Sequence, residues 1–196
     1  MKKLVLLCAF LLFSLIVIGC GSEKEPLSVK KMSDYFIQNN SIAIAHTSWG
    51  ASLDNVKKSI GDYNEYLNGV RKSLIPLRQT FFQDINMTTA EIVFFIDENE
   101  ELHNVWYKFY FEDSESAESK MKELVDYCKK NFPPDFRYSY DQSHKVLLED
   151  QTIYQLSKAN WVDSENARFQ ITIEPDSKKG FFLFFKLTSN KITGLY

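Results

Sequence analysis

Glycine is scarce in this chain, 7 in 196 residues, and a class of chemistry goes with it. A loop that cradles phosphate needs glycines where backbone N–H groups close on the ligand, and no glycine-rich run of that kind is present. Histidine is scarcer still. His46, His103 and His144 lie far apart and none belongs to a His-x-x-x-His pair, so no single element aims two imidazoles at a metal. The acidic run Asp97-Glu-Asn-Glu-Glu101 has the composition of a calcium loop, but it lacks the central glycine and the twelve-residue pattern, and reads as a solvated turn. There is no Gly-x-Ser-x-Gly, and Ser157-Lys158 and Ser177-Lys178 are adjacent pairs without the one-turn spacing of a serine–lysine nucleophile. No two carboxylates stand out for glycoside hydrolysis. A basic excess is also lacking: 23 Lys and Arg stand against 26 Asp and Glu, which argues against nucleic acid and anionic lipid surfaces as main partners. The chain is therefore read as non-catalytic, with no cofactor and no metal.

One apolar run is long, residues 4–18, and it is shorter than a membrane span. Lys2 and Lys3 precede it, Val17-Ile18-Gly19-Cys20 closes it, and the polar Gly21-Ser-Glu-Lys-Glu-Pro26 follows without a stop-transfer pattern. This ending resembles the lipobox of bacterial lipoproteins. The resemblance implies that residues 1–19 are a signal peptide, that Cys20 is lipidated as the new first residue, and that acyl chains hold the protein on a membrane. Residues 20–32 are then the lipidated N-terminus and tether. The implied location is the bacterial cell envelope, facing away from the cytoplasm. Gly21 is not the aspartate that favours inner-membrane retention in enteric bacteria, so either membrane stays open.

Without residues 1–19, 177 of the 196 residues remain, enough for a real core, and the formal net charge moves from −3 to −5. Cys8 leaves with the leader and Cys20 carries lipid. Only Cys128 is left, so no intramolecular disulfide forms. Ala117, Met121, Leu124 and Cys128 are spaced as the buried stripe of a helix, where a free cysteine behaves as a small apolar residue.

Periodicity orders the remainder. Residues 32–38 read as a short amphipathic turn or helix and residues 42–45 as a short strand. Leu53, Val56 and Ile60 follow at helical spacing, with Ser52 placed to cap the first turn through its hydroxyl and Gly61 placed past the end. Residues 63–72 read as loop or partial helix. Residues 74–85 read as extended, with Pro76 at an edge or a strand start. Ile92, Phe94 and Ile96 share one face, and after the acidic turn the return strand 102–112 puts Val105, Tyr107, Phe109 and Phe111 on one face and Trp106, Lys108 and Tyr110 on the other. A second helix runs from Asp113 to about residue 130, ahead of Pro133-Pro134. Residues 136–140 read as a strand, 141–145 as a turn, and 146–148 and 153–162 as strands. Ala167, Phe169, Ile171 and Ile173 alternate with Arg168, Gln170, Thr172 and Glu174, a strand with one wet face. The last strand, 181–188, is apolar on both faces.

The two hairpins look alike. Ile92 aligns with Phe169 and Lys108 with Lys186, at offsets of 77 and 78 residues. Tandem α-β-β units, 33–112 and 113–196, would explain this; so would the similarity of any two amphipathic hairpins. The Trp49-Gly-x-Ser52-x-x-x-Val56-Lys57 helix with its aromatic meander resembles envelope modules of the β-lactamase-inhibitor-protein-like and SmpA/OmlA type. The resemblance covers residues 49–111 and, in outline, 113–188. It implies a helix against an antiparallel sheet, once or in tandem, that works by binding protein partners. The chain lacks the disulfides of the inhibitor proteins, and no functional residue is carried over.

The expected fold class is thus α+β, an antiparallel sheet of hairpins with helices packed on one face. Phe95, Trp106, Tyr110, Phe182 and Phe184 fall opposite the core face. If only one side of the sheet carries helices, they form an exposed aromatic surface, and Trp and Tyr are favoured interface anchors. If both sides are covered, they are core. The expected function is a lipid-anchored binding or assembly module with a protein partner. The alternative is a carrier or sensor enclosing a lipid or other small hydrophobe in a cavity above about 300 Å³.

Overall fold

The computed structural model describes residues 31–44, 47–69, 71–147, 153–165, 167–176 and 180–189. Cys20 and the leader, the tether before residue 31, His46, Leu148, Ser177-Lys178 and the tail after residue 189 lie outside the described residues. Among the described residues no helix is long and apolar enough to cross a membrane.

The described chain begins at the core. Helix α1 (Met32–Phe36) is short, yet Met32 and Phe36 are fully buried, so the expected tether meets the core at its last residue. Asp84 clamps this start. Its carboxylate accepts the Met32 N–H at 2.9 and 3.1 Å and also the Tyr127 hydroxyl. Strands β1 (Ile37–Gln38) and β2 (Ser41–Ile42) make a small hairpin. Its turn residues Asn39 and Asn40 both have positive φ, which asparagine tolerates better than other side chains.

Helix α2 (Leu53–Ile60) buries Leu53, Val56 and Ile60 as their spacing predicts, and Gly61 takes a φ of 71° behind it. The Ser52 hydroxyl makes no capping bond; the cap is made by the backbone instead. Gly50 N–H donates to Leu102 O, Leu53 N–H to Glu100 O and Leu102 N–H to Ala51 O, while Trp49 Nε1–H reaches Ile42 O at 3.0 Å. The Trp-Gly lead-in thereby fastens α2 to the acidic turn.

The large sheet has eight strands, each antiparallel to its neighbours. The first four are β3 (Tyr63–Asn68), β4 (Arg71–Pro76), β7 (Glu91–Ile96) and β8 (Leu102–Phe111). A small hairpin, β5 (Phe81–Phe82) and β6 (Met87–Thr88), interrupts them. Helix α3 (Ser114–Asn131) follows, with the Asp113 carboxylate accepting the Ser116 N–H at its start. The last four strands are β9 (Arg137–Leu147), β10 (Ile153–Val162), β11 (Arg168–Pro175) and β12 (Phe181–Thr188). The order across the sheet is β3-β4-β7-β8-β12-β11-β10-β9. Each of α2 and α3 is therefore followed by four strands of the sheet, not two.

Three expectations are corrected. Residues 63–68 form β3 and residues 71–72 open β4, at a sheet edge that buries too little to show alternation. Residues 141–145 do not form a turn: β9 continues through them, with a register shift opposite Ser157, because its ladder with β10 supplies hydrogen bonds on that side. Pro76 ends β4, which is an interior strand.

One apolar cluster runs from Met32 to Leu187. Phe36 of α1 touches Tyr107, Phe169 and Phe185 at centroid distances of 5.0, 5.3 and 5.8 Å. Helix α3 lies against β8, β10, β11 and β12 and buries Ala117, Met121, Leu124, Val125 and Cys128. Two carboxylates, one buried and one half-buried, hold the frame. Asp163 accepts the Ile42 N–H at 2.7 Å and the Ala167 N–H at 2.8 Å, tying β2 to the β10–β11 turn. Glu118 of α3 accepts the Ser157 N–H at 2.7 Å where the β9–β10 register shifts.

Candidate binding face of the sheet

Side chains alternate across a strand, so the buried Val105, Tyr107 and Phe109 leave Asn104, Trp106, Lys108 and Tyr110 on the other face of β8. The same parity places Phe95 of β7 and Phe182 and Phe184 of β12 there. The β8–β12 ladder then does what local pattern cannot. It sets Phe182 opposite Tyr110, Phe184 opposite Lys108 and Lys186 opposite Trp106.

The five aromatic residues singled out from the sequence become one run. Phe95 and Trp106 are 4.6 Å apart between centroids, Trp106 and Phe184 5.8 Å, Phe184 and Phe182 6.0 Å, and Phe182 and Tyr110 5.7 Å. The run is not uniformly exposed. Tyr110 is 50% exposed and Phe184 only 5%, while Phe95, Trp106 and Phe182 are half-buried. Phe184 is covered because Trp106 and Lys108 of β8 and Phe182 and Lys186 of its own strand close around it.

Two ion pairs brace the run, and these the sequence reading did not assign to the site. Lys108 pairs with Glu91, and Lys186 with Glu174. The Lys186 ammonium sits 4.6 Å from the Trp106 ring centroid and 4.8 Å from that of Phe184. Each cation–π contact of this kind is worth about 0.5–1 kcal/mol at an exposed site, and each surface ion pair about 0–1 kcal/mol. The strand parity of Lys108 between Trp106 and Tyr110 was the available signal. The face thus combines aromatic area with charges that are neutralised in place. Within it, Trp106 Nε1 and Asn104 Oδ1 are buried and find no hydrogen-bond partner among the described residues.

Gly180 shapes one end. Its φ is 112°, and a Cβ there would stand 2.6 Å from the Tyr110 hydroxyl oxygen and 2.8 Å from Phe111 O. Only glycine lets the Tyr110 ring lie this close to position 180.

The other candidate groups add no ring to this run, and His103 lies within electrostatic range of Asp97. His103 is the extra residue where the β7–β8 register shifts, and burial holds its imidazole below the ordinary histidine value. Cys128 is fully buried on α3, and desolvation pushes its thiol well up. Asp97 accepts the Asn99 and Glu101 N–H groups, both at 2.9 Å, so the acidic run is a hydrogen-bonded turn. Ser157 is buried and accepts the Tyr140 hydroxyl at 3.2 Å. Among the described residues no three His, Cys, Asp or Glu side chains converge as a metal site. No protein-family model, curated protein or solved structure matches the chain.

Proposed function

We propose that this chain is a lipid-anchored, non-catalytic binding or assembly protein of the bacterial cell envelope, and that it meets a protein partner through the aromatic sheet face. The observation that carries the reading is the unbroken run Phe95–Trp106–Phe184–Phe182–Tyr110 on the face opposite Tyr107, Phe169 and Phe185. Its half-buried rings offer rigid area, its lysines are paired with glutamates, and two polar atoms lack partners among the described residues. Neutral aromatic patches with a polar border are what protein interfaces place at their centres.

The helices occupy the opposite face in this reading, and the chain is a tandem repeat of a helix with four strands. Support comes from the β8–β12 ladder. A shift of 78 residues carries Tyr107 onto Phe185, and those two residues face each other, where a two-fold axis relating the halves would pass. The partner of Tyr107 on β7 is Ile92 and that of Phe185 on β11 is Ile171. The equivalent of Ile92 is thus Ile171, two residues beyond the sequence alignment.

The Trp106→Ala, Tyr110→Ala double change tests the face. Co-purification of the partner from the native host should fall at least about tenfold, as for interface anchors, with the circular dichroism spectrum retained. A folded double variant that captures the same partner undiminished overturns the reading. The anchor is tested apart from it. Cys20→Ser should move the protein from the detergent phase to the aqueous phase, and unchanged partitioning refutes lipidation.

A further inference from the structure

We propose that two copies of this chain pair edge to edge through β3, in antiparallel register with Tyr66 on the two-fold axis, fusing their sheets into one. This pairing stands whether or not the aromatic face binds a partner.

The sheet ends in two edges, β3 and β9. An edge strand presents unpaired N–H and C=O groups, and proteins guard such edges with charge, proline or bulges. The β9 edge is guarded. Arg137, Asp141 and Lys145 lie along it, and its ladder with β10 is irregular at Ser157. The β3 edge is not. Residues 63–68 contain no proline and no lysine, and their six pairings with β4 run without a break. Its only charge, Glu65, is already paired with Lys57 of α2 at 2.8 Å. No described strand lies on its outer side. Tyr66 and Leu67, 56% and 70% exposed, are the most exposed large apolar side chains among the described residues. As neighbours on a strand they point to opposite faces, so they would grip an added strand from both sides.

The backbone restricts the register. Leu77 N–H donates to Asp62 O at 2.8 Å, and Pro76, which has no N–H, faces Tyr63. The alternation of an antiparallel ladder then turns the N–H and C=O of Asn64 and Tyr66 toward β4 and those of Tyr63, Glu65 and Leu67 outward. Symmetric pairing near the middle of β3 can therefore place Glu65, Tyr66 or Leu67 opposite its own copy. The first sets two carboxylates face to face, which is unfavourable. The second sets Tyr66 opposite Tyr66 and Asn64 opposite Asn68 on one face, and Glu65 opposite Leu67 on the other. It matches ring to ring and amide to amide, because Asn64-x-Tyr66-x-Asn68 reads the same in both directions. The third places Tyr66 opposite Asn68 and loses both matches. Tyr66 also shares a cross-strand row with Ser73 and Phe95. The pairing would therefore bring the two aromatic faces to the same side of one surface.

A single six-residue strand from each copy is expected to bury less than the roughly 1,000 Å² of a stable interface, so the contact is best caught by trapping. The test uses the full chain in its own membrane. A non-hydrogen-bonded antiparallel pair holds its Cα atoms about 4.5 Å apart, within reach of a disulfide. Under mild oxidation Tyr66→Cys should give a covalent dimer, and so should a co-expressed mixture of Asn64→Cys and Asn68→Cys chains, whereas Asn64→Cys alone should not. Adding Leu67→Pro to Tyr66→Cys removes only an outward N–H, which an edge strand tolerates, and should lower the dimer at least about tenfold with thermal unfolding unchanged. Absence of a dimer from Tyr66→Cys overturns the proposal. So does equal cross-linking at Asn64→Cys alone, or a dimer indifferent to Leu67→Pro.

Discussion

Replacing Phe36 with alanine asks whether the segment nearest the expected tether belongs to the core. Phe36 is fully buried, and its ring meets five others: Tyr35, Phe82, Tyr107, Phe169 and Phe185, at centroid distances from 5.0 to 5.8 Å. Truncating a buried phenylalanine costs about 3–5 kcal/mol, more where the walls cannot collapse. Here three walls belong to β8, β12 and β11, fixed side by side in the large sheet, and one to β5 of the small hairpin, so the cavity cannot readily collapse and the expected loss is about 4–5 kcal/mol. Against a total stability of about 5–15 kcal/mol for a domain, that is a large fraction. With a urea dependence of about 2 kcal/mol per molar, the midpoint should fall by about 2 M. Phe36→Leu keeps much of the volume and should lose about 1–2 kcal/mol. The assay is urea unfolding followed both by circular dichroism and by the fluorescence of Trp49, Trp106 and Trp161. The two curves should coincide, because Phe36 joins strands from both halves of the chain. A loss below about 1 kcal/mol, or a transition that splits, refutes the role of α1 as a shared core element.

Two further outcomes follow from a buried and a half-buried polar group. Asp163→Ala leaves the N–H groups of Ile42 and Ala167 without their acceptor. At about 1–3 kcal/mol for each orphaned donor, the same urea assay should show a loss of about 3 kcal/mol, and Asp163→Asn, which keeps one acceptor oxygen, a smaller one. A loss within error for Asp163→Ala would refute the tie between β2 and the β10–β11 turn. His103 governs a pH dependence. Burial favours its neutral form, so the folded value lies below that of the unfolded chain. Its contribution is complete above the unfolded value of about 6.5 and is lost as pH falls below that, because the unfolded chain takes the proton first. Stability measured from about pH 7.5 to about pH 5 should therefore decline more steeply for the native chain than for His103→Gln. Equal slopes would show that His103 is not desolvated.

Local pattern alone determined much of this protein. The alternation of residues 167–174, the aromatic strand 181–188, the stripe Ala117, Met121, Leu124, Cys128 and the opposite faces of residues 102–111 were all legible, because burial on one side imposes a period of 2 or 3.6 on the residues that carry it. Strand parity also picked out Phe95, Trp106, Tyr110, Phe182 and Phe184 as sharing the non-core side. Where burial is slight the signal fails. Tyr63-Asn-Glu-Tyr-Leu-Asn68 is a strand because β4 holds it on one side, and Asp141-Gln-Ser-His-Lys145 is extended because β10 does. No period in those residues records either partner. The contact of Trp106 with Phe184 is of another kind. It spans 78 residues and exists because β8 lies beside β12. Tertiary structure decided that, along with the lysines that close over Phe184 and the half-buried state of its neighbours. Strand order is chosen by the packing of the whole core, and exposure by what the neighbouring strands bring, so neither is written in any one stretch of sequence.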